Sequence, residues 1–353
     1  MSVRIGPIVL NQPICQAGLA GYSDRAMRLV ARRHGCPYAV TEALLDTILL
    51  NGGQGLRKSL DINDDDHPVA GQLIGADADS MASAAQILHR HGYDVIDLNF
   101  ACPVKKIKNK SRGGHMLLDT DRAIGILKAV RDALPPSATT TLSLRRGFDD
   151  SAQSTDRFYR ILQTAWEYDF AAARVHGRTV EQKYLGRSNW DFLAQVKRTF
   201  PDRVILGSGD LFCAQDAVRM LHQTGVDIVW IARGAIGNPW IFRDVAKLLA
   251  GEKDLPPPSI AEQREALSEH FSIAMQIHGE QLAGRRMRKM GIKYARFHPD
   301  AQQVKQQFIE VRSLRDWSAV LQQWYATDAP GVWPVANAAD EVNESDLTCA
   351  ATS

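Results

Sequence analysis

One alternation constrains this chain more than anything else in it. Short apolar, β-branched runs recur at residues 13–17, 38–41, 69–74, 95–99, 140–145, 172–176, 204–208 and 228–232. Longer amphipathic runs lie between them, at roughly 24–34, 79–91, 121–133, 155–168, 189–200, 213–224 and 240–250, with a less regular connection over 42–68. Strands that alternate with helical crossovers build a parallel sheet, and eight is the number that closes a barrel of about 250 residues. An open doubly wound sheet alternates too, but no GxGxxG follows the first run, so that reading lacks its fingerprint. The expected fold is α/β, a (β/α)8 TIM barrel over residues 1–250.

The texture then changes. Gly251-Glu-Lys-Asp-Leu-Pro-Pro-Pro258 is a proline-rich break that fits a domain boundary. Residues 259–330 are helix-periodic without strand-like runs and predict a small helical bundle, whereas residues 335–353 are small and polar and predict a disordered tail. The 353 residues suit a barrel plus a smaller second domain, and 45% hydrophobic with 23% charged residues is ordinary globular composition that can bury a sizeable core.

Five scattered cysteines, none in a CxxC or Cys/His spacing, read as reduced thiols and not as a disulfide framework or a metal site. No apolar stretch approaches a membrane span, and the N-terminus carries no apolar core followed by a cleavage site; the expected location is cytoplasmic, with neither membrane nor metal involved and a monomer as the expected state. A net charge of +2 implies no partner by itself, so the placing of the charges has to decide.

Barrel enzymes carry their sites at the C-terminal strand ends. Those ends are polar almost throughout: Gly18, Leu19 and Ala20 lead the turn after the first run, Gln72 lies on the third, Asn99 and Cys102 end the fourth, Ser143 and Arg145 the fifth, His176 and Arg178 the sixth, Ser208, Gly209 and Asp210 the seventh, Ala232 and Arg233 the eighth. Glycines after the seventh and eighth strands let backbone N–H groups approach a phosphate, and Arg233 can add a charge-assisted contact. FMN is a natural occupant; the plainer reading is that these glycines only form turns. His176 is either a cofactor contact or a satisfied strand-end histidine. Asn99 and Arg145 offer donors and acceptors suited to a base edge. Trp166, Trp190, Trp230 and Trp240 read as packing residues.

Cys102, in a loop before Pro103, is a nucleophile, a general acid or an inert thiol. Behind it, residues 105–112 place five cations in eight positions, Lys105 and Lys106 first among them. Such a run is a solvated surface or a surface for an anion such as a nucleic-acid backbone. A second basic cluster, Arg285, Arg286, Arg288, Lys289, Lys293 and Arg296, lies in the helical segment, with several members on one helical face. Two basic patches in a chain of nearly balanced charge favour a groove for RNA between them.

Around Cys102 the run Asp97-Leu-Asn-Phe-Ala-Cys-Pro-Val-Lys-Lys106 resembles the signature D-x-N-x-G-C-P-x-K-K of the tRNA-dihydrouridine synthase family, bacterial branch. The resemblance extends through Ala17-Gly-Leu-Ala-Gly-Tyr-Ser-Asp-Arg25, Gln72, His176-Gly-Arg-Thr179, Ser208-Gly-Asp210 and Ala232-Arg-Gly-Ala-Ile-Gly-Asn-Pro-Trp-Ile-Phe242, over residues 5–300. It implies an FMN-dependent oxidoreductase, driven by NADPH, that reduces the C5–C6 bond of a uridine in tRNA. Cys102 would protonate C5 opposite the hydride. Asn99, Arg145, Lys105, Lys106, Arg178, Arg285, Arg286, Arg288 and Lys289 would serve the RNA substrate. Gly18, Leu19, Ala20, Gln72, Ser143, His176, Ser208, Gly209, Asp210, Ala232 and Arg233 would hold the cofactor.

The departures from that pattern bear on chemistry. The family reads K-x-R on strand five, and here Ser143-Leu-Arg145 stands in its place, removing a lysine expected beside the flavin ring. Arg146 alternates to the opposite face from Ser143 and is a poor substitute. Ser208, Ala101 and Ala232 also depart from the pattern, so flavin affinity, redox potential or turnover is expected to differ from the family norm. Two other readings stand beside this one: a flavin barrel acting on a small pyrimidine, and an RNA-binding relative with impaired flavin function.

Overall fold

The computed structural model describes residues 2–53, 56, 60, 62–103 and 112–334. Lys105 and Lys106, and the tail at 335–353, lie outside them. Eight parallel strands form the barrel: β1 Ile14–Gln16, β2 Ala39–Val40, β3 Val69–Ile74, β4 Val95–Phe100, β5 Thr139–Arg145, β6 Ala172–His176, β7 Val204–Ser208 and β8 Ile228–Ile231. Each pairs with the next, and β8 returns to β1 through Val229 opposite Ile14 and Trp230 opposite Cys15, so the ring closes. A two-residue strand, Leu44–Leu45, adds to the end of β3.

A helix follows every strand: α1 Arg25–Arg33, α2 Asp46–Asn51, α3 Ala78–Arg90, α4 Thr120–Ala133, α5 Ala152–Glu167, α6 Trp190–Thr199, α7 Ala214–Thr224 and α8 Trp240–Leu249. Their sequences explain them. In α3, Asp77 accepts a hydrogen bond from Ser80 N at 2.9 Å as N-cap, and Met81, Ala84, Ala85 and Leu88 recur at helical spacing to face the sheet. β3, β4 and β5 are buried at every residue, so their polar side chains have to find partners inside the protein.

The core has two layers. One lies between sheet and helices. The other fills the barrel's lower interior with Cys15, Tyr38, Val40, Ala70, Val95, Ala172, Leu206 and Ile228. A hairpin of Val3–Ile5 with Ile8–Leu10 adds Ile5 and Leu10 to that inner layer and closes the end away from the strand C-termini. Each of its strands has three residues, too few for an alternation to be read from sequence.

Four helices follow the barrel: α9 Ile260–His278, α10 Glu280–Tyr294, α11 Ala301–Glu310 and α12 Leu314–Trp324. Ser259 with Glu262 forms a capping box for α9, and Ser313 with Asp316 forms one for α12. Gly291 lets α10 cross α11, since a Cβ there would lie 2.4 Å from the Phe308 ring. This part is packed onto the barrel through Trp240, fully buried with its ring 5.8 Å from Tyr294 and 5.3 Å from Phe297. None of the described helices is long and apolar enough to cross a membrane.

His270 of α9 is buried in the same region, its Nδ1 3.3 Å from the Tyr294 hydroxyl. Burial pushes its pKa down to about 4, against the partial opposing pull of Asp24. The unfolded chain therefore binds the extra proton first as pH falls. Stability from this group is complete above pH 6.5 and is lost toward pH 4, by as much as about 3 kcal/mol. Denaturant midpoints measured across that window should fall more steeply for the wild type than for His270→Phe; equal slopes would exclude His270 as the cause.

Candidate active site

Alternation along the strands aims every second side chain into the barrel, so each strand delivers its polar residues to one mouth. A cavity with about 1020 Å³ of empty space, part of it open to solvent, lies there. Gly18, Leu19, Ala20, Gln72, Asn99, Cys102, Arg145, His176, Ser208, Gly209, Asp210, Ala232 and Arg233 all line it, so residues from six strand ends and the first loop converge as the sequence predicts. Ser143 and Arg178 do not line it.

The fourth strand end is organised by a buried hydrogen-bond chain. Asp97 accepts from Thr141 Oγ1, Ser143 Oγ and Gln72 Nε2, each at 2.8 Å. Gln72 Oε1 in turn accepts from Asn99 Nδ2 at 2.8 Å, and Asn99 Oδ1 accepts from the backbone N–H groups of Ala101 and Cys102, both at 3.0 Å. A carboxylate deep in the barrel thus fixes the loop that carries the thiol. Burial raises the Asp97 pKa, while the Arg174 charge and these three donors pull it back. Arg145 holds the same loop from the other side, donating Nε to Ala101 O at 2.9 Å and Nη1 to the carbonyls of Thr179 (2.8 Å) and Lys183 (2.6 Å). Its Nη2 is the part of the guanidinium left for a bound molecule. Asn99 and Arg145 are therefore loop organisers as well as candidate base contacts.

At the seventh and eighth strand ends, Asp210 accepts from Arg178 Nη2 at 2.6 Å and from Ser188 N at 2.7 Å, and lies 3.6 Å from Arg233. Arg178 also donates to the carbonyls of Leu185 and Gly186, so it is a buried clip on the β6–α6 loop and not a group presented to the cavity. The glycines have an internal explanation. A Cβ on Gly209, whose φ is +117°, would meet Ser188 Oγ at 2.2 Å; one on Gly234 would meet Leu211 O at 2.2 Å; one on Gly18 would meet Thr41 O at 2.0 Å. Close approach of the protein to itself already requires glycine at these three positions.

His176 Nδ1 lies 3.3 Å from Ser208 Oγ, and its Nε2 is buried with no hydrogen-bond partner among the described residues. Burial first, and then the charges of Arg145, Arg174, Arg178 and Arg233, push its pKa well below the usual range, so the ring is neutral. Among the described residues, three arginines line the cavity (Arg145, Arg174 and Arg233) against one carboxylate, Asp210. A space with that excess of positive charge and an orphaned imidazole nitrogen is built for an anionic, hydrogen-bonding occupant.

Several lining residues were not picked out from sequence. Tyr184 packs between Arg145 and Arg233, at 5.6 and 5.5 Å from ring centre to guanidinium. It sits in a loop with no periodicity to mark it. Phe212 lies under Arg233 at 4.8 Å. Trp230, read as packing, lines the cavity under Arg174, and Arg174 itself was passed over. Strand alternation marks both: Arg174 is two residues before His176, and Trp230 two before Ala232. Ser143 needs the opposite correction. It is fully buried behind the cavity, donating to Asp97 and accepting from Arg174, because a side chain that short reaches its strand neighbours and not the lumen.

The basic face of α10 meets the rim of this mouth. Asp24, the N-cap of α1, accepts from His278 Nε2 at 2.8 Å and Arg286 Nη1 at 3.0 Å, and Lys289 Nζ lies 3.7 Å from the centre of the Tyr22 ring. Burial alone would raise the Asp24 pKa; the His278 bond, His270, Arg286 and the Met27 N–H outweigh it and hold the carboxylate well below its usual range. Arg296 is likewise engaged, donating to Ile236 O at 3.0 Å. Arg285 and Arg288 are exposed. Of the predicted cluster, Arg286 and Lys289 thus reach the first barrel loop, Arg296 the segment after β8, and Arg285 and Arg288 face solvent.

A family model described as dihydrouridine synthase matches residues 15–329, barrel and C-terminal helices together. The chain belongs to the dihydrouridine synthase family. Among curated relatives of this family member, the tRNA-dihydrouridine synthase B of Xanthomonas campestris is 34% identical over 299 residues, covering 85% of this chain and 88% of that protein. The tRNA-dihydrouridine synthase B of Pseudomonas aeruginosa is 31% identical over 324 residues, covering 92% and 96%. Among solved structures, a 2-naphthoyl-CoA reductase in complex with 2-naphthoyl-CoA aligns with a TM-score of 0.56 at 11% identity, over 71% of this chain and 52% of that one. Histamine dehydrogenase from Rhizobium sp. 4-9 aligns with 0.53 at 13%, over 76% and 50%. The chain thus spans about half the length of these two structures, and the likeness is one of fold.

Proposed function

We propose that this chain is a tRNA-dihydrouridine synthase that uses FMN, reduced by NADPH, to saturate the C5–C6 bond of a uridine in tRNA. The observation that carries the reading is the meeting of the Cys102 loop with His176, Gln72 and Arg233 around one cationic cavity, in a chain of this family. The residues present fit FMN: Arg233 beside Asp210 for the phosphate, the orphaned His176 Nε2 and the Gln72 amide for polar ring atoms, and Trp230 as an apolar wall. Bound and reduced, FMN supplies the hydride for C6 of the uracil.

The protein supplies the rest. Cys102 keeps a proton at Sγ for C5, in a position set by Asn99 and Arg145. Arg145 Nη2 and the Asn99 amide hold the uracil edge. The base has to leave the RNA stack to reach this depth. Residues 1–250 form the catalytic unit and residues 259–330 the RNA-binding one, with Arg285 and Arg288 presented to the phosphate backbone, together with Lys105 and Lys106 from the loop behind Cys102. Loss of dihydrouridine at a defined tRNA position in cells lacking the gene, read by mass spectrometry, is the expected result. Unchanged tRNA would exclude the reading. Loss confined to ribosomal RNA would replace the substrate while keeping the chemistry.

A further inference from the structure

Strand five carries no cation where the family pattern expects one, yet the cavity holds a cation at the same level one strand away. Arg174 on β6 is the register partner of Ser143 on β5. Its Nε donates to Ser143 Oγ at 3.0 Å, and Ser143 Oγ donates onward to Asp97 Oδ2 at 2.8 Å. Its guanidinium lies 5.0 Å from the Trp230 ring centre and lines the cavity two residues deeper along the strand than His176.

Among the described residues Arg174 makes no direct ion pair, since Ser143 stands between it and Asp97. A cation desolvated in this way has its pKa lowered by burial, with Asp97 as the first opposing influence. The arrangement keeps the charge in place, held through Nε, in a side chain that lines the cavity. Arg233 occupies the shallower end near Gly209 and Asp210. Two cations at different depths match a ligand with a phosphate at one end and an electron-accepting ring at the other.

We propose that Arg174 is the cofactor-contacting residue that stabilises negative charge on the reduced flavin ring, with Ser143 as the hydroxyl that orients it. The charge has moved from strand five to strand six with no change of depth. This rests on the flavin reading above.

The test is the ratio of affinities for reduced and oxidised FMN, taken from the midpoint potential of the bound flavin. It is measured for wild type, Arg174→Gln, Arg174→Met and the double variant Arg174→Gln with Ser143→Lys, each checked for folding by circular dichroism. Either single variant should weaken the hold on reduced FMN about 100-fold relative to oxidised, a negative shift of about 60 mV for a two-electron couple. The double variant should recover most of that shift. The Met variant removes the charge while keeping an apolar side chain of similar length over Trp230, and serves should the Gln variant not fold. A ratio unchanged in a folded single variant overturns the proposal and leaves the flavin reading standing. A wild-type protein that takes up no FMN overturns the flavin reading itself.

Discussion

Cys102→Ala should retain FMN and continue to oxidise NADPH, but its rate of dihydrouridine formation in tRNA should fall by about 10²–10⁴-fold, the usual worth of a positioned general acid. The side chain lines the cavity, and the bonds that place its backbone come from other groups. The loop is set instead by Asn99 Oδ1 on two N–H groups, by Arg145 Nε on Ala101 O, and by Cys102 O accepting from Gly114 N at 2.9 Å. All of these bonds survive truncation of the thiol. Dihydrouridine counted by mass spectrometry beside NADPH consumption separates the two half-reactions. Product formed at the wild-type rate would remove the thiol from the chemistry.

Trp240→Ala should lower stability by about 3–5 kcal/mol, the range for emptying a fully buried tryptophan site. The ring touches His34 from the barrel side, at 5.9 Å, as well as Tyr294 and Phe297, so the cavity left behind would open the seam between barrel and C-terminal helices. Its Nε1 is buried with no partner among the described residues, so Trp240→Phe gives up no hydrogen bond and should cost much less. Denaturant midpoints at neutral pH read the difference. An alanine variant within 1 kcal/mol of wild type would mean that this seam collapses without loss.

The barrel was legible because burial on both faces of a parallel sheet leaves a plain trace. The runs at 69–74, 172–176 and 204–208 coincide with the ends of β3, β6 and β7. What escaped was short or local. The N-terminal hairpin, the six-residue helix Asp46–Asn51 and the 3-10 turn Gly113–Leu118 offer no repeat for periodicity to act on. At the mouth, strand-end polarity identified residues that do line the cavity. Ser143 and Arg178 fall outside the cavity lining, and Trp230, a buried packing residue, also borders it, because sequence gives the face of a strand but not the reach of a side chain. The same limit hid Arg174: an arginine inside an apolar run looks like an interruption until its register partner is known.

The latch between the first barrel loop and the junction of α9 with α10 has a consequence for synthesis. Asp24 leaves the ribosome well ahead of its partners His278 and Arg286, which follow more than 250 positions later. Barrel closure also waits, since β1 pairs with β8. The turn bearing Gly18, Leu19 and Ala20 therefore stays unanchored on one side through most of translation, and a chain interrupted before α10 would carry nearly every pocket residue without a finished rim.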